Sequence, residues 1–451
     1  MNTYMMVRYL CICGIALFFC SCTPFGEPKV DYRDGNVLKP RISFSLDDSL
    51  QAWVTWWPAN RPGQARRSAP YSFADKHVTL INVLPDTEYR YQLNAIRRNG
   101  DTLRSKLYGF RTAVIPDSIY RVSKEKIDTT VFSGYILLRR YFKLGVDLML
   151  NASGDMVWYH PYDSMVSRPV FFTPRKTLLS IYDTAGIVEL DYYGNKLMEI
   201  DMAKHGSPGY FHQDILESPD GSVVTLSVDS AKTDLSKYGW GKDRYLRTDA
   251  ILKMDRNGKT LWRWNALMPG FKSEYYKLER PTEVWGHANA LLLDKDGNYL
   301  ISYRDFSQVW KVNAKTGEVM WRLGKGGTIK MPEEAYFIRQ HSIRWTAEGD
   351  LILFDNGEFK QRRNSRVLVL RIDEEAGEAK IVDLVNLPIN MSSYRMCSAQ
   401  KIAPDRFLVC ITRKNATVAV IDGKANVLWK VIGNFASYRA QLIAEPFPFE
   451  N

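Results

Sequence analysis

Six histidines in a chain of 451 residues are few enough to be placed one by one. Three of them stand in polar runs that open strand-like segments: Phe211-His212-Gln213-Asp214, Trp285-Gly286-His287-Ala288-Asn289 and Gln340-His341-Ser342. His287 and Asn289 are two apart, so on a strand they share a face. A hairpin turned about Lys295-Asp296-Gly297 brings Arg304 back beside them, and one turned about Glu348-Gly349 brings Asp355-Asn356 beside His341. Three imidazoles alone would suit zinc, copper or iron. An Arg in the same place repels a divalent cation and offers a fork matched to carboxylate, phosphate or sulfate. An imidazole beside such a fork suits nucleophilic attack on a transferable anionic group, with the positive charge stabilising the transition state. The plainer alternative is a set of polar residues that satisfy one another inside a channel. His77, His160 and His205 lack this setting and read as surface or packing residues.

Bringing three distant histidines together requires a repeated unit. A strand, a tight turn rich in Asp, Asn, Gly and Lys, and a second strand often ending in Trp recur six times. The copies are Asp147–Tyr159, Gly186–Ile200, Ala250–Trp264, Gln308–Leu323, Arg366–Asp383 and Thr417–Val431. Hairpins of a second kind lie between them, at Ile215–Val228, Ala290–Tyr303 and Ile343–Phe354. Two hairpins per unit make four strands, and such a unit repeated six times is the pattern of a propeller. The expected fold class is therefore all-β, a six-bladed β-propeller over residues 129–451, with five or seven blades as the fallback. In that fold the first hairpin of each blade is innermost, so the three histidine runs would face one end of the central channel.

Ahead of the repeats, residues 37–113 read as short strands. Tyr89, Tyr91 and Leu93 fall on one face of an alternating run. Leu84-Pro85-Asp86-Thr87-Glu88-Tyr89 resembles the fibronectin type III signature in which the Tyr forms a corner. A small Ig-like or fibronectin III-like β-sandwich is expected there, followed by a linker over 114–128.

The chain begins with a lone Arg8, an apolar run from Tyr9 to Phe19, and Cys20-Ser21-Cys22. This describes a secretory signal, too short to span a membrane. Its end resembles a bacterial lipoprotein processing site, which would make residues 1–21 a signal peptide, Cys22 the lipidated residue and 22–36 a tether. Cys20 is the alternative position. The resemblance implies an exported lipoprotein, periplasmic or outer-membrane-associated, held to the membrane by its lipid. Outside the signal only Cys397 and Cys410 remain. Export permits a disulfide between them, and two buried thiols are the competing reading.

The runs Trp285-Gly286-His287-Ala288-Asn289 and Ser302-Tyr303-Arg304 resemble the W-x-H-x-N…S-x-R pattern of the bacterial aryl-sulfate sulfotransferases. Gln340-His341 with Phe354-Asp355-Asn356-Gly357 resembles that family's Q-H…F-D-N-G segment, and Tyr438-Arg439-Ala440 resembles its end. The resemblance implies a ping-pong transfer of a sulfuryl group from an aryl sulfate to a phenol, with no nucleotide donor, no cofactor and no metal. It casts His341 as the nucleophile that becomes sulfohistidine, with His287 and Arg304 completing the catalytic set. His212, Asn289 and Asn356 would help bind substrate. One departure is Gln213, where the family often has a second histidine. Counted back from the turn glycines, Gln213 rather than His212 is level with Asn289 and His341, so His212 could point away from the channel.

The formal net charge of +11 arises from scattered Lys and Arg, the longest cluster being Lys360-Gln361-Arg362-Arg363. This is not the one-sided basic patch of a nucleic-acid binder, so no nucleic-acid partner is expected. The partners implied are a small-molecule aryl sulfate donor and a phenol acceptor, with a homodimer as one assembly. Two rival classes remain: a non-catalytic exported propeller serving as a ligand or partner platform, and a metal- or quinone-dependent propeller enzyme.

Overall fold

Alternating apolar and polar residues, broken by Asx-Gly turns, make antiparallel hairpins along the whole chain. The turn at Lys295-Asp296-Gly297 is typical: Asp294 N–H donates to Asn298 O at 2.8 Å while Gly297 takes a φ of +81°, a conformation that glycine adopts without steric cost. The structure is a computed structural model. It describes residues 25–46, 49–69, 77–119, 121–141, 144–165, 169–182, 186–201, 210–236, 239–267 and 285–447. Cys22 and His205 lie outside these. Among the described residues the secondary structure is β throughout, apart from single 3-10 turns such as Glu333–Ala335 and Ile389–Met391. No described helix is long and apolar enough to cross a membrane.

Six antiparallel sheets follow one another in a propeller-like arrangement. The first joins Met156–Met165, Leu144–Leu150 and Tyr135–Tyr141 to the C-terminal strand Ala436–Ile443. The second runs through Val170–Phe172, Leu178–Tyr182, Gly186–Leu190 and Lys196–Asp201. The third comprises Phe211–Glu217, Val223–Thr233, Arg244–Met254 and Thr260–Asn265. The fourth comprises Ala288–Leu293, Tyr299–Tyr303, Gln308–Val312 and Val319–Gly324. The fifth comprises His341–Trp345, Leu351–Asp355, Arg366–Asp373 and Glu378–Asn386. The sixth comprises Ser398–Ala403, Arg406–Thr412, Ala416–Ile421 and Val427–Gly433, with Val122–Lys126 as a fifth, outer strand.

Each sheet is apolar on both faces, as it must be if a sheet packs on either side. Ile352, Phe354, Val367 and Val369 of the fifth sheet share one buried cluster with Phe407, Val409 and Ala419 of the sixth. Equivalent clusters join every consecutive pair, and Leu408, Val418 and Trp429 of the sixth sheet pack with Ile136 and Leu148 of the first. The Trp that often ends the last strand now has a reason. Trp158, Trp264 and Trp429 each donate their indole N–H to a turn carbonyl of the next sheet, at Tyr192 (2.6 Å), Gly317 (2.6 Å) and Ala152 (2.8 Å). A large apolar ring with one polar handle suits such a pin.

Two further sheets precede the ring, one of Lys29–Tyr32, Pro40–Ser43 and His77–Thr79, the other of Arg66–Arg67, Ser49–Pro58, Glu88–Arg97, Thr102–Arg104 and Tyr108–Arg111. Ile42, Val54, Trp56, Leu80, Tyr89 and Leu93 form a core between them that continues into the first ring sheet. The Tyr89 hydroxyl accepts the Leu84 N–H at 2.7 Å, locking the corner.

Two expected boundaries move. Part of the supposed tether 22–36 belongs to this N-terminal unit, since Lys29–Tyr32 pairs with Pro40–Ser43 and Phe25 bridges to Leu46. Part of the supposed linker 114–128 is sheet, because Val122–Lys126 pairs with Val427–Gly433. Both strands are short and mostly polar, lying at sheet edges where no apolar alternation is required. Cys397 and Cys410 are free and buried.

Candidate active site

His341 opens the inner strand of the fifth sheet, across from Phe354, with a break in register before Arg344. Its flanking residues Arg339 and Ser342 both have left-handed φ, +54° and +55°. Such strain persists only where the surroundings impose it. The Asn356 amide explains what is imposed. Its Nδ2 donates to Ser393 O (2.8 Å) and Met396 O (3.1 Å), so its Oδ1 is the atom that faces His341 Nδ1, at 2.7 Å. Arg339 O lies 3.1 Å from the same nitrogen. Two acceptors fix the proton on Nδ1 and leave the lone pair on Nε2. Met396 N–H donates to that Nε2 at 3.2 Å. Burial holds the His341 pKa down to about 3, against the pull of Asn356, and nearby Arg304 and His287 lower it further. His341 is a neutral, oriented imidazole.

His287 lies in the approach to the inner strand of the fourth sheet. Gly286, at φ +94°, and His287, at +49°, turn the chain tightly, and a Cβ on Gly286 would sit 2.5 Å from the Tyr303 ring. Arg304 N–H donates to His287 O at 3.1 Å and Asp305 N–H to Gly286 O at 3.1 Å, so the return strand is tied to the turn. The Arg304 guanidinium pairs with Asp305 Oδ1 at 2.7 Å. His287 presents an exposed side chain. Crowding by protein atoms nevertheless lowers its pKa, while Asp249 and Asp305 raise it and Arg304 and His212 lower it. His287 thus lies in the electrostatic reach of Arg304 and His212, and His341 in that of Arg304 and His287.

His212 is buried, its Nε2 3.1 Å from Asp249 Oδ1. The other oxygen of Asp249 accepts the Ala288 N–H at 2.7 Å. Asp249 therefore lies between the third sheet's histidine and the backbone beside His287. Gln213 takes a φ of +63° and its Oε1 accepts from the Tyr438 hydroxyl at 2.9 Å. His212 thus faces the His287 side, and Gln213 faces the C-terminal strand.

Asn289 is fully buried. Its Nδ2 donates to Gln340 O at 2.7 Å, and its Oδ1 has no hydrogen-bond partner among the described residues. Asn356 was expected to contact substrate. Both of its amide donors and its oxygen are engaged by the protein, so it holds His341 instead. Three participants were not singled out from sequence as site residues: Asp249, Asp214 and Arg439. Arg439 reaches from the C-terminal strand to Asp214, at 3.0 and 2.9 Å, and to Ser342 Oγ at 3.1 Å. A lone Asp inside an apolar strand run, as in Thr248-Asp249-Ala250-Ile251-Leu252, was the available signal. Among the described residues no group of three or more His, Cys, Asp or Glu has an arrangement that could hold a metal.

The six sheets packed side by side, with His212, His287, His341 and Arg304 on the inner hairpins, define a propeller-like protein. A family profile described as Arylsulfotransferase (ASST) matches residues 125–414, well over half of the 451 residues. The chain belongs to the arylsulfotransferase family, and membership supports aryl sulfotransferase activity in general terms. No curated protein matches the chain. Among solved structures it is similar to a protein of unknown function from Bacteroides caccae (16% identity, 70% of this chain and 100% of that one, TM-score 0.46). It is also similar to BamB from Moraxella catarrhalis (12%, 69% and 88%, 0.33) and virginiamycin B lyase from Staphylococcus aureus (9%, 72% and 100%, 0.34). TM-scores this low carry no argument about function.

Proposed function

We propose that this protein moves a sulfuryl group from an aryl sulfate ester to a phenol in two half-reactions through a sulfohistidine on His341. The observation that carries the reading is the neutral imidazole of His341, with its proton held on Nδ1 by Asn356 and its Nε2 lone pair turned to the Met396 N–H, in the electrostatic reach of Arg304 and His287. In the first half-reaction Nε2 attacks sulfur, the S–O bond to the aryl group breaks, and the aryloxide takes a proton from the imidazolium form of His287, which desolvation disfavours and Asp249 and Asp305 favour. In the second, His287 takes the proton of the incoming phenol, the phenolic oxygen attacks sulfur, and the N–S bond breaks. Arg304 and the second Nδ2 hydrogen of Asn289 stabilise the non-bridging oxygens. His212, steadied by Asp249, supports the same charge. The Nε2 contact from Met396 N–H must yield as the sulfur approaches.

The reading includes a six-bladed propeller carrying this site, an Ig-like sandwich before it, and export as a lipoprotein anchored through Cys22 on the periplasmic or outer-membrane side. The test is incubation with 4-nitrophenyl sulfate and phenol. Nitrophenol release that disappears in His341→Ala supports the reading. Mass spectrometry after donor alone is sharper: a sulfonated His341 is expected, and its absence from an active enzyme overturns the covalent route. Inactivity of the wild-type protein across varied donors and acceptors would favour a ligand-binding platform instead.

A further inference from the structure

Three residues on from His341, Arg344 occupies a position that the sulfuryl chemistry does not use. It belongs to the inner strand of the fifth sheet, paired with Ile352 across the hairpin. Its Nε is buried and has no hydrogen-bond partner, and no carboxylate pairs with its guanidinium among the described residues. The nearby acid is already saturated. Asp214 accepts from both Arg439 guanidinium nitrogens (3.0 and 2.9 Å), from Ile215 N–H (3.2 Å) and from Leu291 N–H (3.0 Å). Asp214 is thus committed to Arg439, and Arg344 is left without a paired carboxylate among the described residues. An unpaired charge there is costly.

The location is central. Arg439 comes from the first sheet and touches Asp214 of the third and Ser342 of the fifth, so its side chain crosses the middle of the ring. Arg344 is half-buried rather than sealed, which means that water-sized species reach it. Ser342 Oγ accepts from Arg439 Nε at 3.1 Å, and its own hydrogen has no acceptor among the described residues. Burial and the neighbouring Arg439 also lower the Arg344 pKa to about 9, the response of a cation without a partner.

We propose that Arg344 anchors a small inorganic anion site, for chloride or sulfate, on the inner strand that carries His341. Its guanidinium fork supplies the donors, and the anion supplies the charge that Asp214, engaged by Arg439, does not. The inference is independent of the sulfuryl-transfer reading.

The test is calorimetric titration of the full chain with sodium chloride and, separately, sodium sulfate at constant ionic strength. An Arg304→Met background keeps sulfate at the His287–Arg304 cluster from contributing. One saturable site is expected. Arg344→Gln should weaken it about tenfold or more, as loss of a charge-assisted hydrogen bond implies, and Arg344→Lys should retain part of it. Saturation by one salt and not the other identifies the anion. Bromide-soaked crystals of the wild-type protein give a second readout that does not depend on a variant folding: an anomalous peak is expected at the Arg344 guanidinium. No saturable binding of either anion, or unchanged binding in Arg344→Gln, or a bromide map empty at Arg344 overturns the site.

Discussion

His341 Nδ1 donates to Asn356 Oδ1 at 2.7 Å, and the amide cannot turn over without setting its NH2 against the ring N–H and its oxygen against two carbonyls. One side-chain amide just past the end of the neighbouring strand thereby decides which nitrogen of the imidazole can react. Asn356→Ala is expected to lower kcat by roughly 10–100-fold, the usual cost of losing an orienting partner. KM for the aryl sulfate should change little, because protein groups engage the oxygen and both donors of the Asn356 amide. A larger change in KM than in kcat would return Asn356 to a binding role.

Acid should weaken the fold before it silences the nucleophile. His341 and His160 are both held down to about 3 by burial, whereas an unfolded chain protonates its histidines near 6.5. Their folded forms therefore resist protons that the unfolded chain accepts. Stability is full above about pH 6.5 and is lost as pH falls towards about 3, by at most about 1.4 kcal/mol per site per pH unit, and by less at the partly exposed His160. Urea unfolding midpoints measured from pH 7.5 to pH 4.5 should fall in the wild type and fall less in His341→Gln. In the same range His341 stays neutral, so an acid limb of kcat/KM above about pH 4 must come from another group.

Gly286→Ala places a methyl group 2.5 Å from the Tyr303 ring on a backbone with φ +94°. The chain must move, and with it His287. A loss of roughly 1–3 kcal/mol in unfolding free energy is expected, together with a fall in activity larger than that fraction unfolded explains. Thermal unfolding and single-turnover rates check the two parts separately. Normal activity would show that the His287 turn tolerates displacement.

The Arg439–Asp214 pair is buried and, through Leu291 N–H and Ser342, links four sheets. Arg439→Met leaves Asp214 charged and short of two donors, and about 3–5 kcal/mol of stability should go with it. Adding Asp214→Asn removes the stranded charge and should recover part of that loss. The double-mutant cycle is the measurement; additive effects would mean that the two side chains do not act as a pair.

Much of the ring could be read from the sequence because its signals are local. Each outer hairpin couples an Asx-Gly turn to apolar alternation on both sides, as at Asp255–Lys259 between Met254 and Thr260. The return of Asn356 beside His341, and of Arg304 to His287, follow from hairpin geometry alone. What was not legible depends on contacts far apart in the chain. Val122–Lys126 is a charged edge strand whose partner lies some three hundred residues on. The left-handed residues Gln213, His287 and Ser342 are not glycines, so no residue type announces the bends that aim the site. Asp249 and Asp214 carry their meaning only once the sheets are side by side.

The first sheet contains three strands from near residue 140 and a fourth, Ala436–Ile443, from the end of the chain. A growing polypeptide therefore emerges from the ribosome with His212, His287 and His341 already made and the ring still open. Tyr438 and Arg439 arrive with the strand that closes it, and both contact the histidine-bearing sheets. The site is completed only once this strand is made, and a chain stopped just before Ala436 would carry every histidine of the cluster without the Tyr438 and Arg439 contacts that join the first sheet to the third and fifth.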